Sequence, residues 1–201
     1  MKQQILYIHG GAAFSDYEKF LDFLRTKELN PYEEKPQRWT DWLWNQLEDT
    51  HEVLRPSMPN SQNAQYAEWK IWFERHFQFL HDEVTLLGWS QGGYFLTKYL
   101  SEEQFPKRIR ALHLIAAPFK PDDFCGEDGG DFQFNPDNLS NVAAQVSALH
   151  IYHSEDDFVV PYTHGLLYRD AFPDATFTSF TDRNHFIIEK FPEIAAALRS
   201  L

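Results

Sequence analysis

EVTLLGWSQGGYFLTKYL, residues 83–100, is the stretch on which the fold turns. Its first half is a strand-like apolar run that stops at Gly88, and from Gln91 onward the apolar residues recur at helical spacing. Between the halves, Gly88-Trp89-Ser90-Gln91-Gly92 matches G-x-S-x-G, the nucleophile elbow. In that turn the glycines leave room for a sharp strand-to-helix reversal, and the serine hydroxyl is lifted above the sheet near a helix N-terminus. A chain of this composition supplies about 0.02 such matches by accident. The competing readings are a turn that merely packs a helix on a strand, or a phosphate-cradling loop; the Lys-Ser/Thr pair of a P-loop is missing.

Working outward, strand-like runs recur at 4–9, 51–56, 110–117, 148–153 and 175–180, several nearly continuous in apolar residues, as suits strands buried on both faces. Helical patterns lie between them at 40–47, 67–80 and 91–100, and from Pro192 to the end. A further helix is expected to open at Ser15, with Glu18 completing a capping box. Alternating strand and helix implies an α/β fold, a three-layer α/β/α sandwich with a mainly parallel sheet and right-handed crossovers. Two stretches look irregular, 30–39 and 118–138, and loops this long in one domain are often functional.

The 201 residues fit one domain, 1–201, and 43% hydrophobic with 16% aromatic content argues for a real core. A net charge of −12 argues against nucleic acid as a partner. No apolar run reaches spanning length or resembles a signal-peptide core, so no membrane span is expected and a cytoplasmic location is. Cys125 is the single cysteine, which agrees with a reducing compartment. No metal or organic cofactor is expected: His150 and His153, three apart on a strand, point to opposite faces and make a poor ligand pair.

A serine nucleophile needs a base within about 3 Å and a carboxylate to orient that base. The segment after the strand at 148–153 offers Glu155, Asp156 and Asp157, and the one after 175–180 offers His185. Of nine histidines, His185 alone follows both the acids and a strand, apart from His164, which falls in a helical stretch. An adjacent Asp156–Asp157 pair cannot cheaply be buried and charged together, so one should face the histidine and the other solvent; spacing does not choose between them. The oxyanion of the reaction needs two backbone donors, and these are expected from the N–H of Gln91 and from Gly11 in the glycine-rich turn after the first strand.

YIHGG, LLGWSQGG, HSEDDFVVP and RNHF occur in the order and places seen in the α/β-hydrolase superfamily, which the whole chain resembles. The resemblance implies sheet order 2-1-3-4-5-6. Small members with a GFSQGG elbow, carboxylesterases and acyl-protein thioesterases, carry an H-x-x-x-D-x-V-V-P segment whose aspartate is the triad acid, which maps to Asp157. The Trp-rich helix before the second strand also resembles YdeN-like single-domain serine hydrolases, which carry a minimal cap. Trp89 stands where many members have histidine or phenylalanine, and residues 14–38 add a helix. The implied activity is hydrolysis of esters or thioesters of small acyl substrates through Ser90, His185 and Asp157. A peptidase or amidase on the same triad and a non-catalytic binding protein are the alternatives. Loop 118–138 would lie over the serine, where Phe119, Phe124, Phe132 and Phe134 either line an acyl pocket or anchor the loop.

Overall fold

Six parallel strands form the middle layer, in order β2-β1-β3-β4-β5-β6, in a computed structural model that describes residues 2–32 and 37–201. They are β1 (Gln3–Ile8), β2 (His51–Leu54), β3 (Glu83–Trp89), β4 (Arg108–Ile115), β5 (Leu149–Ser154) and β6 (Thr176–Phe180). The helices are α1 (Tyr17–Thr26), α2 (Trp39–Leu47), α3 (Tyr66–Arg75), α4 (Gln91–Glu102), α5 (Leu139–Gln145), α6 (Tyr162–Ala171) and α7 (Pro192–Arg199). Successive side chains of a strand face opposite sides, so β1 splits its apolar residues between two cores. Ile5 and Tyr7 join Trp39, Leu43 and Leu47 of α2 and Ile194 and Leu198 of α7. Leu6 and Ile8 join Trp69 and Phe73 of α3, Phe95 and Tyr99 of α4 and Tyr168 of α6. The result is the expected α/β/α sandwich with the expected strand order.

Two local expectations need correction, and one helix was missed. Helix α1 begins one residue later than a Ser15 cap would allow: Asp16 is the N-cap and accepts from the Lys19 N–H, while Ser15 turns away and bonds Asp128 through its own N–H and hydroxyl. No side chain of α1 is fully buried, so tertiary bonds rather than a capping box set its start. The pattern at 67–80 is broken after Arg75, with a single 3-10 turn at Phe77–Phe79 leading into the next strand. Helix α5 was not read from the sequence at all; its seven residues bury only Leu139 and Val142, too few to show a period.

Loop 118–138 is irregular apart from short 3-10 turns. Its phenylalanines anchor it. Phe132 is fully buried and packs edge-on against Trp69 and Phe95, at ring separations of 5.3 and 6.4 Å, while Phe119 and Phe134 pack on Tyr168. The loop also meets α1, through an ion pair of 2.8 Å between Lys19 and Asp128. Expected irregular segment 30–39 includes residues 33–36, which lie outside the described residues.

Candidate active site

The turn between β3 and α4 holds Ser90 at φ 53° and ψ −124°, a region that L-residues other than glycine rarely occupy. Backbone contacts over-determine it: the Ser90 N–H donates to Ile115 O at 2.8 Å, and Ser90 O accepts from the N–H groups of Gly93 and Tyr94. The motif glycines are required by space. A Cβ on Gly92 would lie 2.1 Å from Ile8 O, and one on Gly88 would lie 2.7 Å from the backbone of Gly93. Strand, turn and helix can meet this closely only without those side chains.

Loop 155–160 after β5 brings up the carboxylates. Asp157 is buried, and its Oδ1 accepts the N–H groups of Val159 and Val160, both at 2.9 Å. His185, from the turn after β6, places Nδ1 2.9 Å from Asp157 Oδ2 and 3.1 Å from Oδ1. A carboxylate only accepts, so Nδ1 carries the proton and Nε2 presents its lone pair. Asp156, which the residues alone left open as the acid, is exposed and does not touch the imidazole. It is not idle: its Oδ1 accepts from the Ser154 hydroxyl at 2.5 Å and from the Asn184 N–H at 2.8 Å, and Ser154 Oγ accepts from the Arg183 N–H. The Ser154 bond holds the Asp156 carboxyl below the usual carboxylate range. One aspartate therefore meets the histidine ring, and its neighbour pins the backbone that delivers the ring.

Trp89, next to Ser90 in the chain, touches His185. The indole Nε1–H donates to His185 O at 3.2 Å, and the two rings lie 5.8 Å apart with planes inclined by 36°. Ser90 Oγ makes no hydrogen bond among the described residues, to His185 or otherwise. Catalytic hydrogen bonds are often loose before a substrate is seated. Trp89 as a second tie to His185 was missed by sequence reasoning, since nothing in a tryptophan before the serine says which way its N–H points.

Gln91 and Gly11 are the expected oxyanion donors. The N–H groups of Gln91 and Gly11 have no acceptor among the described residues. A Cβ on Gly10 would sit 3.3 Å from Ser90 Cβ, so the turn after β1 lies against the serine. His9 fixes that turn. Its Nε2 accepts the Met58 N–H at 2.9 Å, which obliges Nδ1 to carry the proton donated to Gly10 O at 2.6 Å. In a trans peptide C=O and N–H point oppositely, so a Gly10 carbonyl tied to the His9 ring turns the Gly11 N–H away from it. Sequence reasoning gave His9 no role.

Two further histidines, set aside on sequence grounds, frame the site. His153 is buried, donates Nε2–H to Val160 O at 2.9 Å and stands 3.6 Å from Asp157 Oδ2, and burial, ahead of every other influence, lowers its pKa. His164 on α6 is buried under loop 118–138, accepts the Phe119 N–H and donates to Asp122, and burial lowers its pKa too. Among the described residues no cluster of three His, Cys, Asp or Glu side chains could hold a metal ion, and no helix is long and apolar enough to cross a membrane.

The family model for the alpha/beta hydrolase fold matches residues 5–150. The chain is an α/β-hydrolase. Solved structures agree on the fold of this α/β-hydrolase. The ydeN gene product of B. subtilis superposes with a TM-score of 0.75 at 17% identity, over 99% of this chain and 98% of that one. An esterase from Exiguobacterium antarcticum gives 0.61 at 15% identity, over 98% and 91%. A thioesterase domain from the curacin biosynthetic pathway gives 0.58 at 12% identity, over 99% and 90%. Among curated proteins no sequence matches. At these identities the neighbours show the fold, the one that the family model also matches.

Proposed function

We propose that the protein is a serine hydrolase that cleaves esters or thioesters of small acyl substrates by two-step acyl transfer. His185 Nε2 takes the proton of Ser90 Oγ as the oxygen bonds to the substrate carbonyl carbon. The oxyanion so formed accepts from the N–H groups of Gly11 and Gln91. As the carbonyl re-forms, the bond to the leaving group breaks, and His185 returns the proton to that group. Water, deprotonated by the same nitrogen, then attacks the acyl-enzyme and releases the acid with regeneration of Ser90. Asp157 holds the imidazole tautomer and stabilises its charged form.

The observation that carries this reading is the buried His185–Asp157 pair, at 2.9 Å, on the segment that Trp89 ties to the strained elbow serine. A serine held at φ 53° and ψ −124° between glycines whose Cβ positions are filled by backbone fits a nucleophile elbow. The test is hydrolysis of p-nitrophenyl acetate together with labelling by a fluorophosphonate. Ser90→Ala is expected to lose at least about 10³-fold in kcat/KM and to stop labelling, with an unchanged far-UV spectrum. A folded Ser90→Ala protein that keeps substantial turnover ends the assignment.

A further inference from the structure

Beside the elbow lies a cavity of about 610 Å³ whose boundary includes Gly10 and Trp89, the residues that flank Ser90 in space and in sequence. Its walls are aromatic: Tyr7, Trp39, Trp89 and Phe186. They are set by mutual edge-to-face packing. Trp39 meets Tyr7 and Trp89 at ring separations of 6.3 Å each, at 80° and 83°. A cavity of this size, with rigid ring walls, takes a flat apolar group of about one or two rings. Trp39 is 1% exposed, and its indole N–H has no acceptor among the described residues, a buried donor that a bound acceptor or a water can satisfy.

The polar residues of this cavity include a single charged one. Arg38, the exposed N-cap residue of α2, carries the only formal charge among its described lining residues. His9, which also lines it, has its Nε2 engaged as the acceptor of the Met58 N–H. The remainder are uncharged, among them Gln37, Thr40 and Ser61. Arg38 is the one guanidinium among the described lining residues, and its planar fork suits a carboxylate. The larger groove of about 780 Å³ beyond Ser61 also has aromatic walls, Phe14, Tyr17 and Phe20, but its charges are the carboxylates of Asp16 and Glu68, and neither Gly10 nor Trp89 borders it.

From these observations we infer that the substrates are aromatic esters that carry a carboxylate on the ring, the ring packed against Trp89 on the cavity wall and the carboxylate held by Arg38. The inference rests on the serine-hydrolase reading above and names its substrate class. Two ester pairs test it, one for each orientation of the scissile bond: 4-acetoxybenzoate against 4-acetoxybenzamide, and methyl 4-carboxybenzoate against methyl 4-carbamoylbenzoate. The quantity read is the charged-to-neutral ratio of kcat/KM in wild type divided by that in Arg38→Met, which cancels the intrinsic reactivity of each ester. A quotient of about ten or more in at least one pair is expected, falling as salt rises, with Arg38→Lys between the two proteins. Arg75→Met, which removes a surface cation stacked on Trp72, serves as the control for net charge and should leave the ratio as it is in wild type.

A quotient near one in both pairs, in an enzyme whose turnover still depends on Ser90, overturns the substrate assignment and leaves the hydrolase reading intact. Turnover that survives Ser90→Ala overturns the hydrolase reading instead. Binding gives a readout independent of turnover: quenching of tryptophan fluorescence in Ser90→Ala protein should titrate with the carboxylated member of a pair and weaken about ten-fold on adding Arg38→Met. Equal affinity for carboxylate and amide there also overturns the inference.

Discussion

Within the site, adjacent aspartates with the same side chain have unlike surroundings. Asp157 takes two backbone N–H bonds and the imidazole, whereas Asp156 ties Ser154 to the Asn184 N–H. Asp157→Asn is expected to lower kcat by about 10³–10⁴-fold, because an amide disfavours the tautomer with hydrogen on Nδ1 and cannot stabilise the imidazolium. Asp156→Asn keeps an oxygen for the Asn184 N–H and should cost less than about ten-fold, with Asp156→Ala the more damaging of the two; steady-state kinetics of the three variants check this order. The reverse ranking identifies Asp156 as the orienting acid. The expectations for Ser90, Gly11, Gln91 and His185 come from the motif and the strand order, which constrain those positions together. The parts played by His9 and Trp89 were not legible, since a ring nitrogen's partner is set by tertiary contacts that leave no period or spacing in the chain.

Among the elements, β1, β3, β4 and β5 could be read because strands buried on both faces are continuous apolar runs. Helix α1 shows the limit of such reading: its amphipathic spacing is plain, yet its Tyr17 and Leu24 are exposed and Phe20, Leu21 and Phe23 only half-covered. Its attachment depends on Asp128, which accepts from the Ser15 N–H and hydroxyl and from Lys19. Asp128→Ala is therefore expected to quicken tryptic cleavage after Arg25 and Lys27 several-fold while changing the global melting temperature by less than about 3 °C, since a partly exposed ion pair contributes little to overall stability. Limited proteolysis followed by mass spectrometry, alongside a thermal melt, checks both halves. A large fall in melting temperature would show α1 to be part of the cooperative core.

For the molecule as a whole, buried histidines couple stability to pH. His113 and His150 stack across β4 and β5 with rings 4.5 Å apart and nearly parallel, and the Nε2 atom of each is buried without a partner among the described residues. Burial lowers the pKa of both, and of His51, His153 and His164, below the ordinary 6.5. A lowered histidine pKa means that the unfolded chain binds more protons below about pH 6.5, so stability is full above that value and declines as the pH falls through it. Glu127 works the other way: burial raises its carboxyl to about 7, so the folded state holds the extra proton and its contribution is lost as pH rises to neutrality. Five histidines against one carboxyl decide the sign. Denaturant midpoints between pH 7 and 5 should fall, and His113→Leu should flatten the slope by up to about 1.4 kcal/mol per pH unit. A flat wild-type profile would refute the account. Sheet order has a last consequence for biogenesis. The hydroxyl, its proposed base and the orienting acid follow β3, β6 and β5, and β6 is a short strand at the rim of the sheet. On the proposed assignment, a nascent or renaturing polypeptide is expected to stay inert until its final strand docks, and the return of turnover then times the completion of the sheet.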